Sequence, residues 1–257
     1  MVLSQFRFHH TSVALVLNHG INAAYYECAS KIPKIAGSSL SSYPSRIAVN
    51  TELAAYGKNS SALRPTMWDN RIDRESSNPQ EHIFEKMVAD KYLGEIVRNL
   101  VTDFMDAQLL FPKNADVAVF TKPFSFFTSY MTVMEDTSEN LSEIGMLLSA
   151  SFNVQASLVD RHIVRALCNI AGKRAALLMG AAAAALVRRA TEAMQDKYPA
   201  LVSVSGQLTE MNQVYVQTMI DTATQLVEKM GLQKPTFNVL GEDGYTVGAA
   251  IAALSEE

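Results

Sequence analysis

Apolar and polar positions follow two rhythms along this chain. Short, largely apolar runs bounded by turn residues read as strands over 12–17, 47–49, 201–204 and 237–240, the first ending in the continuous run VALVL. The segment 23–30 is too short and mixed to assign. Longer stretches keep a helical period. Asn78-Pro79 opens the first: Asn78 suits a cap, Pro79 the first helical position, and Glu81 lies three residues after the cap. Phe84, Met87, Val88, Ile96, Val97, Leu100, Val101 and Phe104 then hold one stripe to about Leu110, with Gly94 as the expected break. Helices are also predicted over 138–148, 158–170, 173–194, 209–230 and 247–254, with Gly231 as a left-handed cap. Loops are expected over 37–45 and 112–123. Strands alternating with long helices predict an α/β layered fold.

Composition narrows the class. A 257-residue chain that is 48% hydrophobic can fill one large core or two modest ones. Charged residues at 19% exclude wholesale disorder. The net charge is −4 and no basic block exceeds Arg188-Arg189, so nucleic-acid binding has no electrostatic footprint. Cys28 and Cys168 lie far apart in no metal or disulfide spacing, which suits a reducing, cytoplasmic compartment. Cys168, in an apolar helical stretch, reads as a buried thiol. Arg7, His9 and His10 interrupt any signal-peptide pattern at the start. The longest apolar run, 175–187, is half alanine and falls short of the ~20 residues that span a bilayer, so no membrane association is expected.

Two features hold candidate chemistry. Three turns, Asn18 to Asn22, Val204 to Gln207 and Gly241 to Gly244, read as strand-to-helix connections. In an open α/β sheet, ligands collect at the C-terminal ends of strands, and glycines there let backbone N–H groups approach a phosphate. Glycine-containing turns of this kind are common, so one alone signals little. The second feature is a pair of carboxylates, Glu52 after a strand and Glu85 near the start of a helix. A carboxylate only accepts hydrogen bonds, so two converging ones would suit the donor-rich rim of a sugar. On spacing alone, Glu81 and Glu85 lie one turn apart and read as a solvated helix face; convergence on a cleft is the other reading. No residue set has metal-ligand spacing.

An ordered series then becomes recognisable. It runs Val49-Asn50-Thr51-Glu52, Ala55-Tyr56-Gly57, Ser76-x-Asn78-Pro79, Phe84-Glu85-Lys86-Met87 and Tyr92-Leu93-Gly94-Glu95-Ile96-Val97-Arg98. It resembles the hexokinase series N-T-E-W-G-A-F-G, S-x-N-P-G-x-Q-x-F-E-K-M and Y-L-G-E-x-V-R. Upstream, Gly20-x-Asn22-Ala23-x-Tyr25 is similar to G-T-G-x-N-A-x-Y. Downstream, Glu242-Asp243-Gly244 and Gly248-Ala249-Ala250 are similar to the closing E-D-G-S-G-x-G-A-A. The matches cover nearly the whole chain, Glu85 to Arg98 being the most specific, and 124–141 looks closer to fungal members than to animal ones. The resemblance implies the actin-like, sugar-kinase (ribonuclease H-like) fold. All of 1–257 would form its C-terminal large lobe, with a helical insertion at about 78–200. It implies an ATP-dependent phosphotransferase acting with Mg²⁺ on the 6-hydroxyl of a hexose. By position, Asn22, Glu52 and Glu85 would hydrogen-bond the sugar. His19 and Gly20 would meet the nucleotide phosphates, Gly206 and Gln207 the adenosine side, and Asp243 and Gly244 the last nucleotide-side turn.

Departures cluster on the nucleotide side. Asn18-His19-Gly20 stands for G-T-G, Ser205 for an Asp, Gln207 for Ser or Thr, and Tyr245-Thr246 for Ser-Gly. On the sugar side, Leu53 stands for Trp, Gln80 for Gly and His82 for Gln. The family's D-x-G-G-T-N and N-D-T-x-G-T segments precede the first of these turns, and nothing in 1–17 matches them. A general base is worth roughly two to four decades of rate, so little or no turnover is expected of this chain alone. Three readings follow. One is a shortened hexokinase, the second a non-catalytic sugar-binding regulator or sensor, and the third an N-acetylhexosamine kinase relative. A lone large lobe would expose a cleft face, so self-association is expected.

Overall fold

The apolar runs and helical stripes become real elements in the computed structural model, which describes residues 1–8, 10–35, 44–58, 62–111, 118–194, 199–241 and 244–254. Their order is α1 (Val2–Arg7), β1 (Thr11–Leu17), β2 (Ile21–Cys28), β3 (Arg46–Asn50), α2 (Met67–Glu75), α3 (Ile83–Val88), α4 (Asp90–Asp106), α5 (Ala118–Thr121), α6 (Tyr130–Val133), α7 (Ser142–Phe152), α8 (Leu158–Met194), β4 (Leu201–Ser205), α9 (Gln207–Met211), α10 (Gln213–Lys229), β5 (Thr236–Val239) and α11 (Gly244–Leu254). The chain divides into two compact units. The first is built from 1–54 and 177–257, the second from 55–176.

The first unit is organised around a five-stranded sheet in the order β3-β2-β1-β4-β5. β1 pairs antiparallel with β2, and β2 with β3. β4 runs parallel to β1, and β5 parallel to β4. Val13, Leu15, Leu17, Val202 and Val204 are buried at alternate positions, as one covered sheet face requires. The expected strand-to-helix turn after β1 is instead a hairpin. Leu17 pairs with Ile21, and the Asn18 N–H donates to the Gly20 carbonyl at 2.9 Å. The unassigned segment 23–30 supplies most of β2; its apolar positions gain a partner strand on each side.

Two long helices stack in this unit where Gly180 of α8 removes a side chain. A β-carbon there would lie 2.8 Å from the Met219 carbonyl of α10. α10 ends as predicted. Gly231 adopts φ +75°, its N–H donates to the Glu228 carbonyl at 2.9 Å, and the Leu232 N–H donates to Val227 at 3.2 Å. This is the paired arrangement that satisfies orphan carbonyls at a helix end. The predicted helix over 209–230 is, however, interrupted at Asn212, whose side chain caps α10 by accepting from the Tyr215 N–H at 2.8 Å.

The second unit is helical. Its first helix, α2, was missed by periodicity but had a local signal. Thr66 and Asp69 form a capping box, each side chain meeting the other's backbone N–H. Asn78 does not start a helix. The chain turns through 76–82, and α3 begins only after His82. The long stripe breaks at Ala89, which is extended (ψ 151°), rather than at Gly94. Gly94 lies inside α4 for another reason: a β-carbon would sit 2.1 Å from the Phe126 carbonyl oxygen, so only glycine admits that segment.

The two helices predicted at 158–170 and 173–194 are one. Ser157 and Asp160 cap the start of α8, Ser157 Oγ donating to Asp160 at 2.7 Å. By length and composition α8 can cross a bilayer, since the helix extends beyond its most apolar run on both sides. Yet 44% of its most apolar window is buried within the protein. Met179, Ala183, Val187 and Ala190 form a buried stripe at helical spacing, the pattern of a core helix. Cys168 is buried as expected, and burial pushes its thiol well above the ordinary range. The predicted loop at 37–45 lies mostly outside the described residues, and that at 112–123 partly so.

Candidate functional site

The parallel strands gather the predicted turns along one edge of the sheet in the first unit. Val16 pairs with Ser205 and Val204 with Val239, so the chain leaves β1, β4 and β5 at the same end. His19, exposed, and Gly20 occupy the hairpin after β1. The amide oxygen of the neighbouring Asn18 is buried with no hydrogen-bond partner. Gly206 links β4 to α9, and Gln207 is the first residue of that helix. Gly206 has φ +118°, and a β-carbon would lie 2.2 Å from the Leu17 carbonyl oxygen. Its glycine identity is therefore fixed by close packing of one strand end on the next. Gly244 opens α11, while Asp243 lies outside the described residues.

At the same end of β2 and β3, side-chain amides form a relay. The Asn22 amide donates to Asn50 Oδ1 at 2.9 Å, and the Asn50 amide donates in turn to Glu52 Oε1. Asn22 Oδ1, its side-chain oxygen, accepts the N–H of Ala23 at 2.8 Å. Thr51 ties the crossing by donating both N–H and hydroxyl to the Ala23 carbonyl at 3.0 and 2.8 Å. Glu52 sits in the left-handed region, φ +49°, and is exposed. One carboxylate oxygen is engaged by Asn50, which orients the side chain. Sequence reading assigned roles to Asn22 and Glu52 and overlooked Asn50, although it lies inside the quoted N-T-E motif.

Glu85 belongs to the second unit, on the first turn of α3. It is half-buried, so it is not simply a solvated helix face. His82 stands in the left-handed region, φ +52°, with Nδ1 3.6 Å from Glu85 Oε1. Lys86, next in the chain, is almost wholly buried. Its ammonium donates to Asp73 Oδ1 and to the Asn78 carbonyl, each at 2.7 Å. Asp73 also accepts the Gln80 N–H on both oxygens at 3.0 Å. Glu81 points away to Lys58, 2.9 Å distant, and this hydrogen bond holds its carboxyl below the usual range.

Further along, the Y-L-G-E-I-V-R stretch is structural. Arg98 makes a two-pronged pair with Glu95, at 2.8 and 2.5 Å, and donates to the Phe120 carbonyl at 2.6 Å. Glu95 also accepts the Phe124 N–H at 2.6 Å. Arg174 grips Asp69 at 2.9 and 2.5 Å. Among the described residues no group of three or more His, Cys, Asp and Glu side chains is placed to hold a metal ion.

Comparison with known proteins fits this arrangement. A family model described as Hexokinase matches residues 12–255. Hexokinase-2 of Saccharomyces cerevisiae is 30% identical over 270 residues, covering all of this chain and 53% of that protein. The hexokinase of Kluyveromyces lactis is 31% identical over 260 residues, covering 98% of this chain and 52% of that protein. The chain thus spans about half the length of the curated relatives it matches. The solved structure of hexokinase from Schistosoma mansoni complexed with glucose superposes with a TM-score of 0.82 at 27% identity, over 98% of this chain and 55% of that one. The α/β fold is accordingly that of the actin-like sugar kinases. Sheet, turns, paired carboxylate motifs and sequence match together place this chain in the hexokinase family.

Proposed function

We propose that this chain forms the sugar-gripping large lobe of an ATP-dependent hexose phosphotransferase, with Asn22, Glu52 and Glu85 hydrogen-bonding the hexose. The observation that supports this reading best is the Asn22–Asn50–Glu52 relay. It pre-orients a carboxylate acceptor before any ligand arrives, and orientation fixed in advance lowers the entropic cost of binding. Glu85 adds a second acceptor for hydroxyl donors. The glucose in the Schistosoma mansoni structure names the substrate class to test first.

Phosphoryl transfer is mostly positioning and charge stabilisation. The nucleotide would lie along the sheet edge at 18–20, 206–207 and 241–244, and magnesium would enter on its phosphates, since that ion keeps several waters and takes few carboxylates. Asn18 has a buried side-chain oxygen without a partner there; turned over, the amide would offer N–H donors to a phosphate. A second reading, sugar binding without phosphoryl transfer, is favoured by one observation. Gly206 is accounted for entirely by its packing on Leu17, so it argues for no phosphate.

Calorimetric titration with glucose and with ATP separates the two. Binding of both supports the kinase lobe, and glucose alone supports the non-catalytic reading. In either case Glu52→Ala and Glu85→Ala should each abolish glucose binding while leaving the melting profile in place. Unchanged affinity in both would overturn the sugar site.

A further inference from the structure

The turn before Glu85 is held in a conformation its own residues disfavour. Gln80 has φ +65° and His82 has φ +52°, two non-glycine residues in the left-handed region within three positions. Such residues are disfavoured and persist only where the surroundings over-determine them. α3 begins at this turn with no side-chain cap on its first residue. Something else must hold the entry to the helix that bears Glu85.

The candidate is the Lys86–Asp73 pair. Lys86 is 1% exposed, and an ammonium is buried only where paired and hydrogen-bonded. It donates to Asp73 Oδ1 and to the Asn78 carbonyl. Asp73 receives the Gln80 N–H on both oxygens, and Asn78 also accepts the Glu81 N–H at 3.2 Å. The Gln80 N–H and the Asn78 carbonyl, two backbone groups of the 78–82 turn, thus converge on the Lys86–Asp73 pair. The Lys86 N–H closes the loop on the His82 carbonyl at 3.1 Å.

We infer that Lys86 and Asp73 are positioning residues: a buried clamp that keeps Gln80 and His82 in the left-handed region and so sets where Glu85 presents its carboxylate. The inference rests on the hexose-binding reading for its consequence, but not for the clamp itself. Neither residue touches the sugar. They act through the turn, and their loss should appear as weakened sugar binding.

The chain offers its own control at position 80, where glycine adopts the left-handed region freely. If the clamp exists to hold Gln80 there, glycine at 80 makes it partly unnecessary. The test is a two-by-two set: the unaltered chain, Lys86→Met, Gln80→Gly and the double variant. Glucose affinity is read by calorimetry and amide exchange of 76–84 by mass spectrometry. Lys86→Met should weaken glucose binding by about tenfold or more, because Glu85 is then no longer held in place. It should also speed exchange at Gln80 and Glu81. Adding Gln80→Gly should restore most of the affinity. A Lys86 that served only to stabilise the fold would give additive losses with no rescue, and that result overturns the inference. Asp73→Asn, which keeps an acceptor for the Gln80 N–H, replaces Lys86→Met should the latter not fold, and Gln80→Gly should rescue it likewise. If the unaltered chain binds no glucose, the hexose reading and the positioning role fall together, while exchange at 80 and 81 still reports on the clamp. Unaltered exchange in Lys86→Met refutes the clamp itself.

Discussion

The two units hold their candidate carboxylates by opposite means. In the sheet unit, Glu52 is exposed and steadied by a relay of side-chain amides at a strand end. In the helical unit, the segment bearing Glu85 is steadied by Lys86, buried against Asp73, and elsewhere in that unit Arg98 pairs with buried Glu95 and the partly exposed Arg174 with buried Asp69. The difference follows from what each scaffold supplies. A sheet fixes a residue through its ladder, so a short polar relay suffices at the end. Short helices such as α3 and the turns between them have no ladder, and their backbone groups must find side-chain partners. Buried ion pairs supply those partners, at the expense of leaving a strongly unfavourable charge wherever one member is lost.

This contrast predicts a graded set of responses. The largest should come from Arg98→Met, which strands the Glu95 carboxylate, 3% exposed, in the core of the helical unit. Removing one partner of such a pair costs about 3–5 kcal/mol. Urea unfolding should show it, and a loss smaller than the surface-mutation range would mean the pair is not holding this unit. Next is Gly206→Ala in the sheet unit, where the added carbon meets Leu17 and the backbone is left-handed. A cost of about 1–3 kcal/mol is expected, and a neutral result would show that the two strand ends can separate freely.

A smaller effect on stability, about 1 kcal/mol, is expected for Asn50→Ala, which cuts the relay at its middle. Its effect on glucose affinity should exceed its effect on melting, because Glu52 loses its orienting donor. Equal melting and equal affinity would reduce the relay to decoration. The smallest response belongs to the exposed pair Lys58–Glu81. Lys58→Ala should leave the unfolding midpoint in place at neutral pH. Because Lys58 depresses the Glu81 carboxyl in the folded state, whatever the pair contributes is present above the ordinary carboxylate range and is lost as pH falls through that depressed value. Below that value the carboxyl is protonated with or without Lys58, so the variant and the unaltered chain should share one midpoint there as well.

Several of these features could be read without coordinates. The strands at 12–17, 47–49, 201–204 and 237–240 were legible because short apolar stretches rich in β-branched residues lie between turn signals, although only β1 and β4 are buried and β3 and β5 lie at the sheet's edges. Gly231 was legible because a helix end in the left-handed region needs glycine. Thr66 and Asp69 had the spacing of a capping box and went unused. Lys86 was not legible: a lysine on a helix reads as solvent-facing, and its acceptors lie 8 and 13 residues away in the chain. The turn after β1 was misread for a similar reason. Asn18-His19-Gly20 is compatible with a helix or a hairpin to follow, and the pairing of β2 between β1 and β3 decided it.

The sequence alone determined the class of fold, the positions of the turns and the two acidic residues of the family motifs, because period, capping and glycine needs are local free energies written into neighbouring residues. Tertiary structure alone decided which of the charges are buried, which amide orients Glu52, why glycine occupies positions 94 and 206, and that Gln80 and His82 are held left-handed. Burial and the close approaches at 94 and 206 depend on segments far apart in the chain, Gly94 on Phe126 and Gly206 on Leu17, which no window of neighbouring residues contains. Asn50 lies only two residues from Glu52, but Asn22, 28 residues away, fixes how its amide is turned.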